Sequence, residues 1–170
     1  MQDKLKEDTI TVTGDNLNIR PEDNLVIKAF RRLREHFDLP FFKIHLHKVI
    51  PNGAGLGGGS SDAACVIRSV NKYFNLSMDN IMMKNLARDI GSDCPFFIDP
   101  VPSLARGRGE ILKHVNSVLY GFRILLINPK IKISTREAYL NTPHSKPEKS
   151  LEDIYNQNIV PLTRKYLLEK

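Results

Sequence analysis

The chain of 170 residues has no tryptophan, two cysteines and no apolar run approaching the ~18 residues that a membrane-crossing helix needs. Each scarcity excludes something. No transmembrane helix is expected. Cys65 and Cys94 form no CxxC pair, so a disulfide scaffold and a clustered-cysteine zinc site are both ruled out. Both thiols lie in apolar stretches and are expected to be buried and free. The opening segment Met1-Gln2-Asp3-Lys4-Leu5-Lys6-Glu7-Asp8 lacks the apolar centre of a secretory leader, and a cytoplasmic location is expected. The length suits one domain. The net charge of +6 arises from basic residues spread along the chain rather than from one block. Arg31, Arg32 and Arg34 read as the solvated face of a helix. Such a charge attracts anionic phosphates at long range and does not by itself separate small ligands from nucleic acid.

What the chain does have is glycine, concentrated in one place. Of its ten glycines, five fall between Pro51 and Gly59, in the string Pro51-Asn52-Gly53-Ala54-Gly55-Leu56-Gly57-Gly58-Gly59-Ser60-Ser61-Asp62. Glycine at this density permits positive φ and close backbone approach to a ligand. An apolar helical pattern begins directly afterwards. A turn emptying into a helix N-terminus presents unpaired N–H groups and a positive dipole end, which suits phosphate.

The rest of the chain alternates between strand and helix patterns. Residues 8–13 alternate as a strand, and the Gly14-Asp15-Asn16 turn predicts a hairpin over 9–19. Pro21-Glu22-Asp23-Asn24 opens a helix with the stripe Val26, Ala29, Phe30, Leu33 and Phe37, ended by Leu39-Pro40. Residues 42–49 form a strand leading into the glycine loop. The helix after the loop buries Ala63, Val66, Ile67, Val70 and Phe74, with Ser60 or Ser61 as its cap and Asp62 in its first turn. Ser77 is expected to cap the next helix, with the stripe Met78, Ile81, Met82 and Leu86 and Gly91 at its C-terminus. A turn follows at Ser92-Asp93-Cys94-Pro95. Strands are predicted at 103–106, 110–115 and 122–128, and short helices at 135–140 and within 150–170, with a polar loop at 142–150.

Three common glycine-loop classes fail. A Walker A loop needs lysine directly after its last glycine, and here Ser60 follows Gly59. Gly53-Ala-Gly55-Leu-Gly57-Gly58 satisfies GxGxxG, but the helix after it leads into a second helix rather than into the strand of a dinucleotide fold. The His-Arg-Asp and Asp-Phe-Gly motifs of protein kinases do not occur. A fourth class fits. Ile50-Pro51 through Ala63-Ala64 resembles the second motif of the GHMP kinases. Glu22-Asp23-Asn24-Leu25 is similar to their Asp-Asn-Leu helix start. Ile90-Gly91-Ser92-Asp93-Cys94-Pro95-Phe96-Phe97, Gly107-Arg108-Gly109-Glu110 and Asn128-Pro129 to Thr135 match further segments in the right order, over about residues 8–140.

The resemblance implies an α+β fold of the ribosomal protein S5 domain 2-like kind. Residues 1–120 would form the N-terminal ATP-binding domain and 121–170 the start of a second domain. It implies ATP as phosphoryl donor, Mg²⁺ as its counterion, and a small alcohol carrying a cytidine diphosphate as acceptor. Nucleic acid and membrane are not expected as partners, and the oligomeric state is not specified. Pro51, Asn52, Gly53, Ala54, Gly55, Leu56, Gly57, Gly58, Gly59, Ser60 and Ser61 would hold the phosphates, with Asn24 and Leu25 bordering the adenosine. Asp93 would act on the acceptor hydroxyl as the catalytic carboxylate; the plain alternative is a turn aspartate binding its own backbone. Lys48 either reaches the nucleotide or is a solvated strand-end lysine. Ser60 and Ser61 either cap the helix or meet phosphate or Mg²⁺, and no other metal ligand is assigned. Thr135 and Tyr139, four apart on a short helix, would meet the acceptor, the tyrosine stacking on cytosine. His45 and His47 share a strand face and read as surface residues rather than a metal pair.

The family's opening Pro-x-Ala-Lys-Leu-Asn-Leu, with its catalytic lysine, has no counterpart in these 170 residues, nor do its Asp-Gly-Tyr-His and late glycine loop. The sequence is therefore expected to be a fragment that binds nucleotide weakly and turns over slowly or not at all. The rival readings are another GHMP kinase with a different small alcohol, and a non-catalytic nucleotide- or nucleic-acid-binding module.

Overall fold

A computed structural model describes residues 5–14, 19–51, 55–117, 119–127, 140 and 148–156. Strand β1 (Thr9–Gly14) leads through a 3-10 turn at Pro21–Asp23 into α1 (Leu25–Arg34) and then β2 (Lys43–Lys48). β1 and β2 pair in parallel, Thr9 opposite Lys43 through Gly14 opposite Lys48. The loop after β2 enters α2 (Gly58–Phe74), followed by α3 (Asn80–Ile90) and the short α4 (Cys94–Ile98). An antiparallel hairpin of β3 (Ser103–Arg106) and β4 (Ile111–His114) and a last helix, α5 (Leu151–Asn156), complete the described elements. Helices and small sheets in this order make an α+β fold, as expected.

The described partner of β1 is β2, reached across the α1 crossover, the usual parallel connection. The hairpin's return arm falls mainly on 15–18, outside the described residues. A side chain at Gly14 would collide with the Lys48 carbonyl oxygen, and Gly14 sits at φ +84°, so this end of the pair can close only on glycine.

Apolar spacing places α1 and α2 against each other. Val26, Ala29, Phe30 and Leu33 of α1 meet Ala63, Ala64, Ile67 and Val70 of α2, with Ile10, Ile44 and Leu46 of the sheet packed on the same core. The small residues Ala29, Ala63 and Ala64 let the helices approach closely. Asn24 caps α1, its side chain accepting from the Val26 N–H at 3.0 Å. α2 ends on Asn75 in the left-handed region, a conformation asparagine tolerates. Asn71 then both donates to the Met78 carbonyl and accepts from its amide, at 3.0 Å each, fixing the link to α3.

Several local expectations shift once packing decides. Asp79, not Ser77, caps α3, accepting from the Met82 N–H at 2.7 Å. The buried face of α3 is Met83, Leu86 and Ala87; Ile81 and Met82 face outward, and buried Met78 lies in the preceding loop. A cap two residues later rotates the stripe. Gly91 does end α3, but in extended backbone rather than a left-handed turn. Phe37 packs on the core from beyond the end of α1. Arg34 is not a solvated residue. Its guanidinium meets both oxygens of the nearly buried Asp8 at 2.5 and 2.6 Å, donates to the Pro40 carbonyl at 2.8 Å and lies 4.7 Å over the Phe41 ring. It ties the end of α1 to the start of β1. Arg32 pairs with Glu35 and Asp89, and Arg31 is exposed as expected.

Cys94 is buried, but Cys65 is exposed on α2. Residues 122–127 take no regular strand despite their apolar pattern, and the short helix at 135–140 and most of 142–150 lie outside the described residues. The helix in 150–170 is described only over Leu151–Asn156. Glu152 joins it to the hairpin through Arg106 and Lys113, and the Tyr155 hydroxyl donates to the Asn116 carbonyl at 3.0 Å.

Leu33→Ala is expected to cost about 2–5 kcal/mol in urea unfolding, because Leu33 is fully enclosed. Ile81→Ala, on the outward face of α3, should stay within about 0.5 kcal/mol.

Candidate active site

The site is assembled where the N-terminus of α2 meets the turn between α3 and α4. Gly57 precedes α2 in the left-handed region at φ +67°. A Cβ there would stand 2.8 Å from the Phe97 ring, so glycine is required by conformation and by contact alike. At Gly58 a Cβ would stand 2.8 Å from Ile50 and 3.3 Å from the Lys48 amino group. The loop therefore winds into the helix on residues without side chains. The helical ladder starts with the Ser61 N–H donating to the Gly57 carbonyl at 2.9 Å. The amides of Gly57, Gly58, Gly59 and Ser60 stand ahead of that ladder, and no acidic residue occupies the first turn.

The serines are consequently not caps. Gly57 holds the cap position, and Ser60 and Ser61 lie inside the first turn. Ser60 instead lies near Cys94 at the start of α4. Burial pushes the Cys94 thiol above its usual pKa of 9.0, the nearby Ser60 hydroxyl opposing and the neighbouring Asp93 charge reinforcing the rise. The unfolded thiol ionises first, so stability carried by this group is complete below about pH 9 and falls as the pH rises beyond it.

Asp93 sits directly ahead of α4, exposed, and its side chain makes no capping bond to the helix. The alternative of a turn aspartate bonded to its own backbone is not what the structure holds. The tip of the β3–β4 hairpin comes up against it. Gly109, at φ +118°, leaves room: a Cβ there would stand 3.2 Å from the Ser92 carbonyl oxygen and 3.4 Å from Asp93 Oδ1. Glu110 folds back onto the same tip, accepting from the Arg108 N–H at 2.7 Å. Its own amide and that of Arg108 hold its carboxyl below the ordinary value. Sequence reasoning placed this turn in the resemblance but gave it no task; its two positive-φ glycines were the available signal.

The remaining candidates divide. Asn24 and Leu25 start α1 nearby, the Leu25 side chain 3.9 Å from a Cβ placed on Gly91. Lys48 is no solvated strand-end residue. It is 4% exposed, and its ammonium donates to Asp62 Oδ2 at 2.7 Å. Asp62 thus serves β2 rather than the first turn of α2. Pro51, Gly55, Leu56 and Gly59 lie on the loop and helix start, Gly55 and Leu56 exposed. Asn52, Gly53 and Ala54 are outside the described residues, as are Thr135 and Tyr139. His45 and His47 are exposed, and each ring meets the Thr13 hydroxyl, at 2.9 and 3.0 Å.

The start of α2 thus sets amides ahead of its hydrogen-bond ladder on an element packed against the one that Asp93 opens. The comparisons with known proteins concern the family. Residues 24–99 match the family described as GHMP kinases N terminal domain. Over that segment the chain is similar to the GHMP kinases. Within that class it is similar to proteins named 4-diphosphocytidyl-2-C-methyl-D-erythritol kinase. The one from Bacteroides thetaiotaomicron is 43% identical over 140 residues, covering 82% of this chain and 51% of the relative. The one from Cytophaga hutchinsonii is 40% identical over 153 residues, covering 89% of this chain and 57% of the relative. A crystal structure of 4-(cytidine 5'-diphospho)-2C-methyl-D-erythritol kinase superposes with a TM-score of 0.52 at 35% identity, over 66% of this chain and 40% of that one. The chain spans about half the length of the curated relatives it matches.

Gly57→Ala is expected to lower stability by about 1–3 kcal/mol through strain and the Phe97 clash, whereas Gly55→Ala, with nothing within 4 Å, carries only the backbone penalty. Denaturant titration of both variants measures the difference. Thiol labelling in native buffer should modify Cys65 rapidly and Cys94 only on unfolding, read by peptide mass.

Proposed function

We propose that this chain carries the nucleotide-binding and catalytic elements of a kinase that phosphorylates the 2-hydroxyl of 4-diphosphocytidyl-2-C-methyl-D-erythritol with ATP, a step of non-mevalonate isoprenoid precursor biosynthesis. The observation that carries the proposal is the packing of the α2 start on α4, Phe97 filling the space beside Gly57, with the exposed Asp93 directly ahead of α4. Phosphoryl transfer demands mainly positioning and charge stabilisation. The amides of Gly57–Ser60 and the α2 dipole offset the triphosphate charge. Asp93 orients the acceptor hydroxyl and takes its proton as the bond to the γ-phosphorus forms and the bond to ADP breaks. Asn24 and Leu25 border the adenosine, and Thr135 and Tyr139 meet the cytidine end.

Mg²⁺ accompanies ATP as its counterion. Ser60 or Ser61, both in the first turn of α2, would meet it. Residues 1–120 make up the ATP-binding domain and 121–170 begin a second. A soluble substrate suits the cytoplasm. Among the described residues no helix is long and apolar enough to cross a membrane. The family's opening lysine has no match here, so these 170 residues alone should turn over more slowly than ~1 s⁻¹.

The test is ADP release with the diphosphocytidyl substrate, set against homoserine and mevalonate derivatives. Slow turnover confined to the first, lost at least ~100-fold in Asp93→Asn with ATP binding retained, is the expected result. Equal activity on another alcohol, or full activity in Asp93→Asn, would reject the assignment. Salt-sensitive RNA binding indifferent to ATP would favour a nucleic-acid module instead.

A further inference from the structure

Lys48 is the buried charged residue of the described core, and its placement is electrostatically unusual. Its ammonium lies beside Gly58, 3.3 Å from where a Cβ would stand, at the end of α2 that carries positive partial charge. A cation enclosed there is repelled by the helix and requires an anion. Asp62 supplies one, accepting from Nζ at 2.7 Å with 27% of its own side chain exposed. The pair runs from the last residue of β2 to α2, across the glycine loop.

We propose that Asp62 is a positioning residue that holds the Lys48 charge in reserve beside the loop amides until a bound polyphosphate takes over part of its role as countercharge. This inference rests on the nucleotide reading of the same loop. Lys48 is enclosed, its side chain 3% exposed. A phosphate at the amides of Gly57–Ser60 shares the cation with Asp62, and the two anions repel. Asp62 therefore stabilises the free protein and weakens the complex.

The distinction from a plain structural ion pair is experimental. Asp62→Asn, Lys48→Met and the double variant of the full chain are compared with the native protein by melting temperature and by calorimetric affinity for a non-hydrolysable ATP analogue at fixed salt. Asp62→Asn should melt lower, gain a larger melting shift from the analogue than the native chain, and bind it roughly tenfold tighter. Lys48→Met should bind at least roughly tenfold weaker, and the gain from Asp62→Asn should shrink in its background. Asp62→Glu should restore the native melting temperature and affinity. Lower melting without tighter binding in Asp62→Asn would overturn the inference and leave the pair purely structural. If no variant and no native protein binds the analogue, the nucleotide reading fails. Inorganic triphosphate then decides the inference alone: a larger melting shift in Asp62→Asn supports it, and an equal shift rejects it.

Discussion

The contact between the first turn of α2 and the start of α4 governs the rest of the site. It forms because the turn carries no side chains where the two helices meet. Phe97 occupies the space a Cβ on Gly57 would take, and Ile50 and Lys48 fill that beside Gly58. Remove that closeness and the free amides and the Asp93 carboxylate become unrelated features on separate helices. The glycines thus serve two ends. They leave the backbone bare on one side and let the protein pack tightly on the other.

Around this contact the core acts as a brace. α1 and α2 pack through alanines, Arg34 locks the end of α1 to Asp8, and Lys48 ties β2 to α2. The loop between β2 and α2 is anchored at both ends, while its exposed part around Gly55 and Leu56 stays clear of other side chains. The hairpin tip adds a third wall beside Asp93, again through a glycine at positive φ. Rigid support under an accessible carboxylate is what a transfer reaction that depends on positioning requires.

Much of this was legible in the sequence. The helices α1 and α2, the strand before the loop and the strands β3 and β4 follow from periodicity and turn residues, and ordered motifs pointed to the GHMP kinases. What escaped was decided by non-local packing. The parallel pairing of β1 with β2 leaves no local signature. The serines seemed to be caps because serine prefers that position, yet the left-handed Gly57 starts the helix earlier. Asp79 displaced Ser77 by offering a carboxylate in extended backbone, and the buried face of α3 is Met83, Leu86 and Ala87. Arg34 reads as solvated, and Lys48 as either solvated or reaching the nucleotide, because charge on a helix or strand end usually meets water or ligand. Their partners, Asp8 and Asp62, lie 26 and 14 residues away in the chain, beyond any periodic signal.

The central claim is that the amides opening α2 are the phosphate cradle and face Asp93. Amide chemical shifts recorded while the chain is titrated with a non-hydrolysable ATP analogue test it most directly. The account predicts that the largest changes fall on Gly55 to Ser61, with smaller ones at Asn24, Leu25 and Ser92–Cys94. Changes concentrated on another surface, with Gly57–Ser60 unmoved at saturation, would contradict it.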